Sequence, residues 1–148
     1  MKDIETPLLS AEKFNDTLIT AKGEQRASVA LSDPQTLWFN TGTLCNIECK
    51  NCYILSSPKN DALVYITADE VRDYLDQLEI RNWGVREIAF TGGEPFMNPE
   101  IIEITRASLE RGYDVLILTN AMRPMMRKSM RAGLLELNAA SPGKLTMR

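Results

Sequence analysis

The chain contains no histidine. This removes the residue that most often completes a cysteine-based zinc site. Cysteine is scarce as well: three residues, Cys45, Cys49 and Cys52, all in one short run. An odd number of cysteines so closely spaced argues against a disulfide framework and for a reducing compartment, so a cytoplasmic location is expected. No apolar run approaches the ~20 residues that span a bilayer, so no membrane partner is expected. The N-terminal Met1-Lys2-Asp3-Ile4-Glu5 is acidic and is followed by Pro7, which is not the pattern of a secretory signal. What remains is ordinary: 148 residues, 44% hydrophobic and 25% charged, enough for one soluble domain with a real core.

Charge is unevenly spread. Between Met122 and Arg148 lie six basic residues (Arg123, Arg127, Lys128, Arg131, Lys144, Arg148) and one acid, Glu136, a net of +5 in a chain whose total is −3. A basic tail can follow a nucleic-acid backbone. No aromatic residue is interleaved with these charges, so the stacking half of a single-strand site is missing. A solvated helix face is the simpler expectation, and nucleic acid is not the expected partner.

Residues 1–35 read as an N-terminal extension. Thr17–Ala21 and Arg26–Leu31 are strand-like and flank Lys22-Gly23-Glu24-Gln25, which predicts a hairpin. From residue 36 the pattern changes. Leu37–Thr41 reads as a strand entering the cysteine loop. Thr67-Ala68-Asp69-Glu70 is a capping box, and Val71, Tyr74, Leu75 and Leu78 form the apolar stripe of a helix. Glu87–Thr91 is a second strand, leading into Gly92-Gly93-Glu94-Pro95. Asn98-Pro99 predicts the start of a second helix that Gly112 stops. Asp114–Thr119 is a near-continuous apolar strand, as expected of one covered on both faces. Pro124 opens a third helical pattern to about Leu137, and Leu145–Arg148 begins a fourth strand. Strands alternating with helices imply an α/β fold with parallel strands. Chemistry in such folds gathers at the C-terminal strand ends. The cysteine loop, Gly92–Pro95 and Thr119-Asn120 all fall there.

Three thiolates make an incomplete metal site. A structural zinc takes four closed ligands. Iron–sulfur clusters are commonly held by four thiolates, so three leave one iron open to an outside ligand. An open iron suits a cluster that must grip a substrate or cofactor.

The pattern Cys45-x-x-x-Cys49-x-x-Cys52-Tyr53 resembles the signature of the radical S-adenosylmethionine (radical SAM) superfamily. Gly92-Gly93-Glu94-Pro95 resembles its second motif, one βα unit later, and Thr119-Asn120 resembles the Thr-Asn often found after the third strand. The likeness is closest to members that modify peptides or assist cofactor assembly. It implies a partial (β/α) barrel of parallel strands. It also implies a 4Fe–4S cluster with one iron on each of Cys45, Cys49 and Cys52. S-adenosylmethionine would chelate the fourth iron. Backbone around Gly92 and Gly93, the Glu94 carboxylate and the adjoining Pro95 would meet the cofactor's ammonium side. Tyr53 would lie against the adenine, and Thr119 and Asn120 on the ribose side. The implied reaction is reductive cleavage of the sulfonium, with electrons from a partner such as flavodoxin or ferredoxin. The resulting 5′-deoxyadenosyl radical abstracts hydrogen from a peptide or small-molecule substrate.

Two features depart from the pattern. Asn51 stands where an aromatic residue often precedes the third cysteine. The family core has about six βα units, against the eight of a full barrel, and this sequence supplies about half of them. Residues 36–148 are therefore expected to form an incomplete core, truncated after about three βα units. Two other readings stay open: a catalytically incomplete cluster-binding fragment, and a structural zinc module that contacts nucleic acid through the basic C-terminal helix. Taken singly, Gly92–Pro95 could be a simple turn and Thr119-Asn120 an N-cap. The stripe Met122, Met125, Met126 and Met130 reads as core packing.

Overall fold

A computed structural model describes residues 15–148 of the chain. The chain divides into two compact units, Met1–Ser32 and Asp33–Arg148. In the described part of the first unit, a turn closes through Thr20 N–H donating to Glu24 O at 2.8 Å and Arg26 N–H donating to Leu18 O at 2.7 Å. The two expected strands reduce to one antiparallel bridge, Ile19 to Gln25. Val29 and Leu31 are 96% and 67% exposed, so the second arm buries little apolar surface among the described residues. A two-stranded ribbon without one is marginal in water.

The second unit is an α/β fold. Its strands are β1 (Thr36–Asn40), β2 (Glu87–Thr91), β3 (Asp114–Ile117) and β4 (Leu145–Met147), and its helices are α1 (Ala68–Arg81), α2 (Ile101–Glu110) and α3 (Lys128–Ala140). The sheet runs β1-β2-β3-β4 in chain order, every neighbour parallel and every step crossed by a helix, which is the arrangement of a partial (β/α) barrel. Alternation sorts the side chains. Phe39, Ile88, Phe90, Val115 and Ile117 face the helices and share one core with Val71, Leu75, Ile101, Ile104, Leu134 and Leu137. Phe39 stacks on Phe90 with centroids 5.8 Å apart and meets the Tyr74 ring edge-on at 5.6 Å. The register row Trp38, Ala89, Leu116, Thr146 lies between the core positions and so occupies the opposite face. Trp38 is half-exposed there.

Local chemistry sets most of the helix ends. Thr67 and Glu70 form the capping box that opens α1. Glu100, at the start of the neighbouring helix α2, adds a bond, its carboxylate accepting from Ala68 N–H at 2.8 Å. Asn82 closes α1 in the left-handed conformation, φ 48°. Thr67→Ala removes the hydroxyl that accepts from Glu70 N–H and should lower stability by about 1 kcal/mol, read as a lower urea midpoint at unchanged slope.

Two helices begin later than the sequence predicts. Asn98 does not cap α2 directly. Its amide ties two segments together, donating to Ile66 O at 2.8 Å and accepting from Glu100 N–H at 2.9 Å, and helix proper starts at Ile101. Pro124 opens only a turn, because Arg127 has extended backbone (φ −58°, ψ 142°) and α3 starts at Lys128. No helix among the described residues is long and apolar enough to cross a membrane.

Candidate cluster and cofactor site at the strand ends

The C-terminal ends of β1, β2 and β3 carry the three segments singled out by the sequence. The chain leaving β1 continues alongside the chain leaving β2. Thr41 N–H donates to Thr91 O at 2.8 Å, Gly93 N–H to Gly42 O at 2.9 Å and Glu94 N–H to Leu44 O at 3.0 Å. This contact leaves no room for side chains. A Cβ on Gly93 would stand 2.2 Å from Leu44 O and 2.7 Å from Thr43 O, and one on Gly92 would stand 2.6 Å from Gly42 O. Gly92 also has φ +136°, open in practice only to glycine. The closest approach the glycines permit is to the backbone that leads into Cys45.

The other side of that backbone is held by the polar stretch after the cysteines. Cys45 N–H donates to Ser57 O at 3.1 Å, and Leu44 bridges Ser57 in parallel. Leu63 N–H donates to Thr43 Oγ1 at 3.1 Å. The cysteine loop is thus clamped between the β2 exit and the 57–63 segment.

Within the loop, Cys45 is buried, Cys52 half-buried and Cys49 exposed. Two of the sulfurs have an N–H donor beside them. Ser56 N–H reaches Cys52 Sγ at 3.3 Å, and this bond, helped by the Ile54 and Leu55 amides, holds the Cys52 thiol below its ordinary value. Asn120 Nδ2 lies 3.8 Å from Cys45 Sγ. Among the described residues no three of His, Cys, Asp or Glu converge tightly enough to hold a single ion. A structural zinc takes four ligands gathered at about 2.3 Å from one centre, and the loop offers three cysteines and no histidine. A cluster that gives each thiolate its own iron fits an all-sulfur, donor-rich loop better. In the metal-free protein, Cys52 should alkylate with iodoacetamide with a pH midpoint below that of free cysteine. Its depressed pKa favours the thiolate, so reactivity persists as pH falls toward neutrality. Mass spectrometry of the labelled peptide checks this.

Glu94 is the centre of the rim. It is 1% exposed, yet its carboxylate is well supplied with donors. Oε1 accepts from Phe96 N–H at 3.1 Å and from Thr119 Oγ1 at 2.8 Å, and Oε2 accepts from Asn120 N–H at 2.9 Å. Pro95 is buried and opens a short 3₁₀ turn, Pro95–Met97, that Glu94 caps. A carboxylate has about four lone-pair sites, so one on Oε2 is left for an outside donor. Thr119 and Asn120 are brought to Glu94 and to the cysteine loop together. The Asn120 amide faces Cys45 and Asn46, donating to Asn46 Oδ1 at 3.0 Å. Tyr53 lies on the loop and is 77% exposed.

The structure adds residues that the sequence did not single out. Ser56 lies in the polar stretch that follows the cysteines; it is buried and its N–H meets Cys52. Asn46 is an unmarked position between two cysteines, and nothing in the spacing points to its Asn120 contact. A cleft of about 450 Å³ opens beside the loop, lined by Asn46, Met97, Arg123, Pro124, Met126 and Arg127. Of the methionine stripe, Met130 is buried and Met125 packs against the core, whereas Met122 and Met126 are about half-exposed.

Residues 39–141 match the profile of the Radical SAM superfamily, and the chain belongs to that superfamily. It is 29% identical over 102 residues to the AdoMet-dependent heme synthase of Methanosarcina barkeri, covering 67% of this chain and 28% of that one. It is 31% identical over 101 residues to a probable GTP 3′,8-cyclase of Saccharolobus islandicus, covering 66% and 31% respectively. Among solved structures it resembles Streptococcus suis SuiB bound to its precursor peptide SuiA, with a TM-score of 0.62, 26% identity, and coverage of 79% of this chain and 24% of SuiB. SuiB bound to S-adenosylmethionine gives a TM-score of 0.61 at 25% identity, with coverage of 78% of this chain and 24% of SuiB. The chain therefore spans less than a third of these relatives.

Proposed function

We propose that this chain is the radical-generating part of a radical SAM enzyme. Cys45, Cys49 and Cys52 would hold a 4Fe–4S cluster, and S-adenosylmethionine would occupy the open iron beside Gly92, Gly93 and Glu94. The observation that carries this reading is the clasp at the rim. Three segments from three strand ends, each resembling a motif of the superfamily, are joined through Glu94 and the Gly42–Leu44 backbone beside Cys45. Bound there, the cluster and cofactor would supply one-electron cleavage of the sulfonium and a 5′-deoxyadenosyl radical.

The protein's own part is positioning. The glycine pair fixes the height of the cysteine loop above the sheet. The Glu94 carboxylate keeps one lone pair for an ammonium group, a charge-assisted bond that is strong in a nearly dry site. Tyr53 presents an exposed ring on the loop for the adenine. The substrate is a peptide or a small molecule. A peptide is supported by the precursor peptide bound to SuiB, and cofactor assembly by the heme synthase relative. A flavodoxin or ferredoxin would supply electrons, and the enzyme would act in the cytoplasm.

The test is anaerobic reconstitution followed by EPR. The dithionite-reduced protein should show a cluster signal that changes shape on adding S-adenosylmethionine, and 5′-deoxyadenosine should accumulate. A cluster signal indifferent to S-adenosylmethionine, with no 5′-deoxyadenosine formed, would instead establish a cluster-binding fragment without turnover.

A further inference from the structure

Asn120 is tied into the rim by four contacts that leave its amide only one orientation. Its backbone N–H donates to Glu94 Oε2 at 2.9 Å. Ala121 then turns through the left-handed region at φ 55°, which brings the chain back so that Met122 N–H donates to Asn120 Oδ1 at 3.1 Å. That bond identifies the oxygen end of the amide, an assignment that rests on the surrounding hydrogen bonds. The nitrogen end must point the other way. There Nδ2 meets Asn46 Oδ1 at 3.0 Å and Cys45 Sγ at 3.8 Å. An amide nitrogen has two hydrogens, one for each of these acceptors. Cys45 is the most buried of the three cysteines, so its sulfur has little water to compete with the amide.

We infer that Asn120 tunes the reduction potential of the cluster through an N–H···S bond to Cys45, an inference that rests on the function proposed above. Reduction adds negative charge that is shared with the thiolate ligands. A donor aimed at one of those sulfurs stabilises the reduced form more than the oxidised form and raises the potential; hydrogen bonds to the sulfurs are among the levers that set cluster potentials. Asn120 is thus a tuning residue acting through a ligand. Asn46 positions it by accepting the second amide hydrogen.

The test is an EPR-monitored redox titration of the intact, anaerobically reconstituted protein, with iron and sulfide measured on each sample. Asn120→Asp keeps the size and the backbone bond to Glu94 but exchanges the donor for a negative oxygen. Asn120→Ala removes the donor without adding charge, and also removes the oxygen that accepts from Met122 N–H. Thr67→Ala, which loses the α1 cap, loosens the fold without touching the rim or a sulfur. The midpoint should fall in both Asn120 variants, most in Asn120→Asp. At the wild-type midpoint its reduced-to-oxidised ratio should drop about tenfold, equivalent to ~59 mV for one electron. Thr67→Ala should keep the wild-type midpoint. If Asn120→Asp fails to load a cluster, the Asn120→Ala midpoint decides. Midpoints that stay at the wild-type value in the loaded Asn120 variants overturn the inference, as does an equal fall in all three. A wild-type protein that binds no cluster overturns the proposed function, and the inference with it.

Discussion

Gly93→Ala should destabilise the second unit by about 3 kcal/mol and strip it of its capacity to load a cluster. The added Cβ would lie 2.2 Å from Leu44 O and 2.6 Å from Leu44 C. Both are backbone atoms, so no side chain can swing aside. Relief requires the strand-end segments to part, which breaks the bond from Glu94 N–H to Leu44 O and lifts the loop that leads to Cys45. Overpacking typically costs about 1–3 kcal/mol, and an obstruction made of backbone belongs at the upper end. Gly84→Ala is the control. Nothing lies within 4 Å of a Cβ at Gly84, and only its φ of +78° opposes the change, so about 1 kcal/mol is expected there with cluster loading intact. Urea denaturation of both variants, paired with iron analysis after reconstitution, separates the two. Equal losses, or a Gly93→Ala protein that loads normally, would mean that the glycine pair does not set the loop.

Glu94→Ala should cost a similar amount by a different route. It orphans three donors at once: Phe96 N–H, Thr119 Oγ1 and Asn120 N–H. A buried polar group left unpaired costs about 1–3 kcal/mol, and water entering the vacated volume offsets part of the sum, leaving about 3 kcal/mol. Glu94→Gln retains one carbonyl oxygen but turns an NH₂ toward a donor, so roughly half that loss is expected. The signature is local. Amide hydrogen exchange at Phe96 and Asn120 should accelerate well beyond the change at core amides of β2, such as Phe90. A uniform acceleration would show that Glu94 supports the fold generally without joining the strand ends.

The two variants mark how far the sequence can be read. Strand and helix identity follows from local pattern: the short apolar run Ile88–Phe90 reads as a strand, and Val71, Leu75 and Leu78 on one stripe read as a helix. The capping box at Thr67 is equally local. Onsets were less legible where two local signals compete. Pro124 favours a helix start, but the extended backbone at Arg127 delays it to Lys128. At the site, residue types were legible and partners were not. A pair of glycines announces a close backbone approach; that the approaching chain is Gly42–Leu44, about fifty positions earlier, is settled only by the pairing of β1 with β2. A carboxylate after those glycines announces a polar role. That Thr119 and Asn120 supply its donors follows from β3 lying beside β2. Asn46 and Ser56 carry no sequence signal, because their roles come from which segment folds over the cysteine loop.

The most direct measurement is the metal and sulfide content of the anaerobically reconstituted chain, beside variants in which Cys45, Cys49 and Cys52 are each replaced by alanine. The donor-rich, all-sulfur loop predicts about four irons and about four inorganic sulfides per chain, with visible colour lost in every single-cysteine variant. One zinc per chain with no inorganic sulfide would contradict the account.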